Sequence, residues 1–128
     1  YNITCVSMGN PHAVVFSELV DVMDLEKIGP RFEYASELFP ERVNTEFVKV
    51  IDDHTLKMRV WERGSGETMA CGTGACASVV AACINGHCRK GEDIRVILKG
   101  GDLIVNYTDD AVSMTGNCDR VFEGTMEI

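Results

Sequence analysis

The stretch Trp61-Glu-Arg-Gly-Ser-Gly-Glu-Thr-Met-Ala-Cys-Gly-Thr-Gly-Ala-Cys-Ala-Ser78 joins a strand pattern to a run of small apolar residues. Within it, Cys71 precedes a glycine-flanked turn that opens onto a helix predicted from about Gly74 to Asn85. That helix is nearly all small and apolar, so we expect protein to surround it on every side. Asn85-Gly86 is a typical helix end. The stretch therefore predicts one buried helix with a cysteine at its amino-terminal end.

The position of this cysteine indicates chemistry rather than packing. Unpaired N–H groups and the helix dipole favour a negative charge at a helix start. The N–H groups of Gly72, Thr73 and Gly74 can hold a carboxylate or a phosphate there. A thiol that ionises easily beside such a site suggests an acidic substrate. A nucleotide site is the weakest interpretation, because neither a Lys-Ser/Thr ending nor GxGxxG spacing is present.

The residues around the helix predict a sheet. Leu56, Met58 and Val60 alternate with Lys57, Arg59 and Trp61, a pattern typical of a half-buried strand. Other strands are expected at residues 3–6, 13–16, 43–51, 94–98, 103–107, 112–115 and 121–128, with a hairpin turn at 99–102 and a flexible loop at 64–66. The pattern predicts an α+β fold, in which a curved, mostly antiparallel sheet wraps around one central buried helix.

A second helix is expected near the start of the chain. Asp24 is a suitable cap for a helix that continues through Leu25, Ile28 and Phe32. The Gly29-Pro30 pair is expected to interrupt or restart that helix, because proline lacks the backbone N–H and clashes with the preceding turn.

The bulk properties indicate one globular domain spanning residues 1–128. A hydrophobic share of 45% and a charged share of 25% are ordinary for a soluble protein. The net charge of −8, with 12 basic residues scattered among 20 acidic ones, argues against nucleic-acid binding. The longest apolar run, residues 75–84, is roughly half the length of a membrane span, and no signal-peptide pattern is present. We expect a cytoplasmic protein that binds neither nucleic acid nor membranes.

Six cysteines are present, and their spacing favours free thiols. The chain is larger than typical disulfide scaffolds and has no secretory signal. Cys76 and Cys83 are seven residues apart on the predicted helix, where buried free thiols are common. Cys83, His87 and Cys88 are the candidates for a zinc site, but no CxxC pair exists and a closed site needs four ligands. No metal is therefore expected.

Four motifs occur in the order found in one enzyme family. They are Met8-Gly-Asn-Pro-His12, Arg42-Val-Asn-Thr-Glu-Phe47, Glu62-Arg-Gly-Ser-Gly-Glu-Thr68 and Ala70-Cys-Gly-Thr-Gly-Ala75. Over essentially the whole chain, they resemble the C-terminal half of diaminopimelate epimerase. That family has two similar halves with one cysteine each, and nothing in this sequence resembles the first half. The resemblance implies a fragment, one half of a two-domain fold, whose partner is the missing N-terminal half.

The resemblance also implies a reaction and roles for particular residues. The reaction is the cofactor-independent interconversion of LL- and meso-diaminopimelate in lysine and peptidoglycan biosynthesis. Inversion needs a base on one face of the α-carbon and an acid on the other, and a thiol suits either role. The resemblance makes Cys71 one of the two thiols and Glu62 its proton partner. It makes His12 the support of the other half's cysteine, so that His12 is expected to be partly exposed in this chain.

The resemblance assigns the substrate contacts as well. Arg63 would bind the carboxylate at the non-reacting end by bidentate hydrogen bonding. The backbone N–H groups of Gly72 and Thr73 would donate to the reacting carboxylate. The amides of Asn10 and Asn44 would recognise the distal amino-acid group.

Each of these residues also has an ordinary interpretation. Cys71 could be a buried structural cysteine, and Glu62 and Arg63 could be solvated surface residues. Asn10 precedes Pro11, which is typical of a turn.

Three alternatives to this function remain open at the level of sequence. Proline racemases and hydroxyproline epimerases share the Cys-Gly-Thr-Gly element, but proline lacks a second amino-acid end for Asn10, Asn44 and Arg63 to bind. The phenazine-biosynthesis-like relatives usually lack this cysteine, so Cys71 argues against them. A binding-only domain without turnover is the third, since only one of the two cysteines is present and the isolated chain is expected to be inactive or severely impaired.

The C-terminal segment carries the last expectation. Val121, Phe122, Met126 and Ile128 alternate loosely, and residues 120–128 are predicted to form a final strand that associates with the missing half. An unpaired strand of this kind also predicts self-association into a homodimer.

Overall fold

Eight strands, two α-helices and one short 3₁₀ turn make up the structure, a computed structural model that describes residues 1–128. In chain order they are β1 (Thr4–Ser7), β2 (Pro11–Phe16), the 3₁₀ turn (Val20–Val22), α1 (Leu25–Glu33), β3 (Asn44–Asp52), β4 (Thr55–Glu62), β5 (Gly66–Thr68), α2 (Gly72–Ile84), β6 (Asp93–Leu98), β7 (Gly101–Tyr107) and β8 (Val112–Thr115). Neither helix has the length and apolar character that a membrane crossing requires.

All eight strands belong to one sheet. The spatial order is β1-β2-β3-β4-β6-β7-β8, with β5 paired to β4 beside this path. Two pairs, β2 with β3 and β4 with β6, are parallel, and each is connected through one of the helices, as parallel neighbours require. The other pairs are antiparallel. The predicted α+β fold with a mostly antiparallel sheet is confirmed.

Helix α2 lies at the centre of this sheet and contacts β1 to β4 and β6 to β8. Its small side chains, among them Ala75, Ala77 and Ala81, are fully buried, as predicted. The helix begins at Gly72, earlier than predicted, because Cys71 itself is the N-cap residue. It ends at Ile84, as the sequence predicts to within a residue. Helix α2 thereby contacts β2, β3 and β4, which carry His12, Glu46 and Glu62.

Helix α1 differs from the prediction at its centre. It begins after the Asp24 cap, as expected, but it runs through Pro30 without interruption to Glu33. Gly29 explains the close packing here, because a Cβ at this position would lie only 2.2 Å from Cδ2 of Trp61. The indole of Trp61 therefore rests directly on the helix backbone. This contact and the hydrogen bonds of Glu33 hold the last turn in place, so the predicted break at Gly29-Pro30 is wrong.

We expect Gly29→Ala to destabilise the protein, although alanine is the better helix former. The added methyl group would overlap the rigid Trp61 ring, and overpacking of this kind costs about 1–3 kcal/mol. Urea unfolding monitored by fluorescence of the single tryptophan measures the loss. Gly124→Ala is the control, because a Cβ there would meet only ordinary contacts at 3.8 Å. Equal midpoints for the two variants would contradict the prediction.

Strands β4 and β5 form the hairpin that carries Glu62 and Arg63. Leu56, Met58 and Val60 are buried on one face of β4, as predicted, but Trp61 on the other face is also buried, because it packs against α1. The flexible loop predicted at 64–66 is shorter than expected, because Gly66 already pairs with Glu62 at the start of β5. Gly64 and Gly66 have φ values of 81° and 78°, which glycine adopts without strain. The hairpin turn therefore fixes the backbone on the carboxyl side of Arg63.

The strand predicted at residues 121–128 does not form within this chain. The sheet ends at β8, which pairs only with β7, and the residues after Thr115 find no partner strand. Val121, Phe122 and Met126 are more than four-fifths exposed as a result. Association of this segment with a missing half, and the single-domain boundary at 1–128, stay predictions.

Candidate active site

Cys71 caps the central helix with its own sulfur atom. Its backbone is extended, and Sγ accepts a hydrogen bond from the N–H of Gly74 at 3.3 Å. The hydroxyl of Thr73 lies 3.6 Å from the same sulfur. The thiol is buried, with 9% of the residue exposed. The sulfur is thus the N-cap acceptor of α2, a role that serine, threonine or aspartate oxygens usually have.

The pKa of Cys71 moves in the direction opposite to the one predicted from sequence. Burial raises the pKa of the thiol above its ordinary value, and the nearby carboxylates of Glu62 and Glu46 raise it further. The hydrogen bonds from Thr73 and Gly74 lower the pKa but do not offset these effects. The expectation of an easily ionised thiol is therefore wrong for this chain. The helix start favours the thiolate, but burial and two acidic neighbours favour the protonated thiol more strongly.

The first turn of α2 leaves backbone donors free beside Cys71. The N–H groups of Gly72 and Thr73 have no backbone acceptor, as is usual at a helix start. Thr73 is exposed and Gly72 is half-buried. A Cβ at Gly72 would lie 3.1 Å from Cε of Met114, so glycine also relieves the packing of β8 against the helix. Of the three N–H groups predicted to hold an anion, those of Gly72 and Thr73 are free of backbone acceptors, whereas that of Gly74 is bonded to Sγ of Cys71.

His12 occupies a buried position, which corrects the expectation of a partly exposed imidazole. Only 1% of the residue is exposed, because β2 lies between β1 and β3 in the sheet. Its Nδ1 lies 2.7 Å from Oε1 of Glu46, and its Nε2 lies 3.1 Å from Oδ1 of Asn10. Both ring nitrogens therefore have partners within this chain.

The two asparagines have different surroundings. Asn10 connects His12 to the helix start, because its Nδ2 donates to the hydroxyl of Thr73 at 3.4 Å. Asn44 is buried and bonds to backbone on both sides: Nδ2 donates to the carbonyl of Pro11 at 3.0 Å, and Oδ1 accepts from the N–H of Arg63 at 2.9 Å. Asn44 thus fixes β2 and the end of β4 relative to one another.

Neither Glu62 nor Arg63 is hydrogen-bonded to the thiol. Oε1 of Glu62 accepts a hydrogen bond from the hydroxyl of Thr68 at 2.5 Å. The guanidinium of Arg63 donates to the backbone carbonyl of Glu41 at 2.8 Å, in a partly solvated position. The influence of Glu62 on Cys71 in this structure is therefore electrostatic, through the pKa of the thiol.

Glu46 is a functional candidate that the sequence analysis did not assign. It is fully buried in β3, and its Oε1 lies against the helix start, where a Cβ at Gly74 would be only 2.7 Å away. Its second oxygen, Oε2, has no hydrogen-bond partner. Burial raises the pKa of this carboxyl, and the hydrogen bond with His12 opposes that effect. The available signal was the one charged residue in the Val43–Val48 segment, which was predicted to be a strand.

The structure therefore brings four predicted site residues into one cluster and leaves the others beside it. The cluster contains Cys71, Thr73, Asn10 and His12, together with the unpredicted Glu46. A cavity of about 510 Å³ adjoins it and is lined by Asn10, His12 and Glu41 among others. No group of three His, Cys, Asp or Glu side chains is arranged to hold a metal ion, and all six cysteines are free.

The fold defines a class of protein. Solved structures described as phenazine biosynthesis proteins of the PhzF family share it: the Bacillus anthracis structure superposes with a TM-score of 0.56 at 21% identity, covering 81% of this chain and 33% of that one. The Enterococcus faecalis structure superposes with a TM-score of 0.57 at 16% identity, covering 80% and 36%. At this level of identity the likeness concerns the fold alone.

The sequence identifies the family within that class. The profile of the family described as diaminopimelate epimerase matches residues 4–121, and the chain belongs to this family. It is 54% identical to the diaminopimelate epimerase of Acetivibrio thermocellus, with all of this chain and 45% of that protein aligned. The Methanococcus maripaludis enzyme is 55% identical over all of this chain and 46% of its own length. The chain thus spans about half the length of the curated relatives it matches.

Proposed function

We propose that this chain is the half of a cofactor-independent diaminopimelate epimerase that carries one of two acid/base thiols. The observation that carries the proposal is the position of Cys71, which caps α2 beside the unpaired N–H groups of Gly72 and Thr73. A reacting thiol and an anion-binding helix start are thereby next to each other, as proton transfer at the α-carbon of an amino acid requires. Identities of 50–55% to diaminopimelate epimerases support the choice of substrate.

The protonation state of Cys71 suggests its role in the reaction. Because burial and the neighbouring carboxylates raise its pKa, the thiol carries its proton at neutral pH. Cys71 would then donate that proton to one face of the α-carbon, while a thiolate from the missing half removes the α-proton from the opposite face. The reverse reaction exchanges the two roles. The N–H groups of Gly72 and Thr73 would stabilise the negative charge that develops on the reacting carboxylate.

The remaining residues would recognise and support the substrate. Arg63 would exchange the carbonyl of Glu41 for the distal carboxylate, since its guanidinium is partly solvated and near the surface. Asn10 and Asn44 would contact the distal amino-acid group, and Asn44 also holds the N–H of Arg63. Glu62 would serve as proton partner of Cys71, and His12 would support the cysteine of the other half.

A binding-only role is the second candidate for the isolated chain. The chain spans 45% of its Acetivibrio relative and contains one of the two proposed thiols. Inversion needs groups on both faces of the α-carbon, so the chain alone would bind an amino acid without efficient turnover.

The proposal is tested by following α-proton exchange of LL-diaminopimelate in D₂O by NMR. The 128-residue chain is measured alone and after addition of the N-terminal half of the Acetivibrio thermocellus relative. We expect exchange and inversion with both halves present, and neither above background with this chain alone. Efficient inversion by the chain alone would contradict the two-thiol proposal. Binding of the substrate without exchange in the combined sample would favour the binding-only role.

A further inference from the structure

A continuous path of polar contacts connects the buried carboxyl of Glu46 to the thiol of Cys71. It starts with the 2.7 Å contact between Glu46 Oε1 and His12 Nδ1 and continues with the 3.1 Å contact between His12 Nε2 and Asn10 Oδ1. It ends with the 3.4 Å bond from Asn10 Nδ2 to Thr73 Oγ1 and the 3.6 Å contact from that oxygen to Sγ. We call this set of contacts the polar path.

The contacts of Asn10 determine which atom donates and which accepts in each hydrogen bond of the polar path. Because Nδ2 of Asn10 donates to Thr73, the oxygen Oδ1 faces His12 and can only accept. Nε2 of His12 must therefore carry a hydrogen. The hydroxyl of Thr73 already accepts from Asn10, so its own hydrogen is available for the sulfur of Cys71.

The contact of the other ring nitrogen, Nδ1, with Glu46 explains why Nε2 carries the hydrogen. With a hydrogen on Nε2, the 2.7 Å contact between Nδ1 of His12 and Oε1 of Glu46 requires one shared proton, in the form of either an imidazolium with a carboxylate or an imidazole with a carboxylic acid. Both forms place a hydrogen on Nε2. Loss of the shared proton would leave the ring hydrogen on Nδ1, facing a carboxylate, and Nε2 would become an acceptor. The Asn10 amide would then turn over and Oδ1 would attract the hydroxyl hydrogen of Thr73 away from the thiol.

The surroundings of Glu46 favour retention of the shared proton. The side chain is fully buried and Oε2 has no partner, so an unprotonated carboxylate would leave a charged oxygen unsolvated. The other ionisable groups that face the path are Glu62 at the end of β4, and Glu41 and Cys5 beside the adjoining cavity. None of these three is hydrogen-bonded to His12.

We propose that Glu46 is a positioning residue for Cys71 and acts through the proton that it shares with His12. That proton fixes the orientation of the Asn10 amide and thereby aims the hydroxyl hydrogen of Thr73 at the thiol. The bond from Thr73 lowers the pKa of Cys71 and partly offsets the effect of burial. The inference rests on the proposed function only for the use that catalysis makes of Cys71.

The first test measures the hydrogen on His12 directly. The chain contains three histidines, and the other two, His54 and His87, are exposed. Long-range ¹H–¹⁵N correlation spectra of ¹⁵N-histidine-labelled protein distinguish protonated from unprotonated ring nitrogens, and His12→Gln assigns the signal. We expect a hydrogen on Nε2 of His12 at neutral pH. A hydrogen on Nδ1 with Nε2 unprotonated would overturn the proposal.

The second test measures the consequence at the thiol. Alkylation of Cys71 by iodoacetamide is followed by peptide mass spectrometry from about pH 6 to about pH 10, a range that brackets ordinary thiol ionisation. We expect Thr73→Val to slow alkylation about fivefold at neutral pH, as loss of one hydrogen bond implies. Thr73→Ser, which keeps the hydroxyl, restores the parent profile. Equal slowing by valine and serine would contradict a role for the hydroxyl.

A double-mutant cycle then separates the polar path from direct electrostatics. Glu46→Gln removes the ionisable partner of His12, so the rate profile of Cys71 changes by about twofold or more beyond the change in the Thr73→Val background, where only the direct electrostatic effect of Glu46 on the thiol remains. Glu33→Gln is the matched control, because Glu33 is also a buried carboxyl but lies outside the path. A Glu46→Gln profile that coincides with the parent, or an effect of equal size in both backgrounds, overturns the proposal.

These measurements also distinguish the role of the polar path from the proposed epimerase reaction. Neither the histidine spectra nor the alkylation rates require substrate or turnover. If the combined halves fail to epimerise diaminopimelate while the cycle gives the expected coupling, the polar path stands and the proposed reaction does not. If epimerisation occurs and the coupling is absent, the opposite conclusion follows.

Discussion

Cys71→Ala in the chain combined with an N-terminal half is expected to lower α-proton exchange from diaminopimelate by about 10³-fold, within the range attributed to a positioned acid or base. The methyl group of alanine can neither donate nor accept the proton. Cys83→Ala is the matched control, because Cys83 is a half-buried cysteine at the other end of the same helix. A loss of less than about tenfold would show that another group performs the proton transfer.

Because Cys71 also caps α2, Cys71→Ala lowers stability as well as exchange, and Cys71→Ser separates the two effects. Sγ accepts the N–H of Gly74, so Cys71→Ala removes a cap and is expected to cost about 1 kcal/mol of stability in addition. Cys71→Ser keeps a capping atom, and serine is among the preferred N-cap residues. Its hydroxyl is far less acidic than a thiol. We therefore expect Cys71→Ser to lose exchange as fully as Cys71→Ala while its urea unfolding midpoint stays at or above that of the parent.

The parts of the fold that were predicted correctly depend on local patterns. The alternation of Leu56, Met58 and Val60 in β4 follows from the period of a strand, which places every second side chain on the buried face. The mostly small and apolar α2 contacts β1 to β4 and β6 to β8, as a helix without a polar face is expected to do. The predicted C-terminal strand does not form within this chain, because alternation shows only that a segment is suited to a sheet. A strand also needs a neighbour, and the edge at β8 provides none to residues 121–128.

The parts of the site that were not predicted depend on contacts between distant segments. The helix dipole at Cys71 is visible in the sequence, but the burial of the thiol and the approach of Glu46 arise only when β3 lies against α2. These tertiary effects reverse the direction of the pKa shift. His12 was expected to be partly exposed in this chain, yet its ring is buried and contacts Glu46, a residue 34 positions later. No pattern of sequence spacing relates the two.

Glu33→Leu is expected to destabilise the protein by about 3 kcal/mol, because it leaves buried donors without an acceptor. Glu33 is 2% exposed and accepts three hydrogen bonds. Oε2 accepts from Nε1 of Trp61 at 2.7 Å, and Oε1 accepts from the N–H of Gly64 at 2.9 Å and from Nη1 of Arg42 at 3.0 Å. The indole N–H is buried and would lose its partner completely, whereas the other two donors can reach water in part.

The geometry around Glu33 makes the loss more than local. Its carboxylate connects the end of α1 to the β4–β5 hairpin that carries Arg63, and it holds Arg42, whose φ of 61° is the single positive value at a non-glycine residue. Urea unfolding measures the change, with Glu37→Leu as the control, because Glu37 is exposed nearby and surface substitutions cost at most about 0.5 kcal/mol. A loss below about 1 kcal/mol for Glu33→Leu would mean that the apolar contacts of leucine offset the unpaired donors. Glu33→Gln, which retains one carbonyl acceptor, should fall between these two variants, since only part of the carboxylate's accepting capacity is lost.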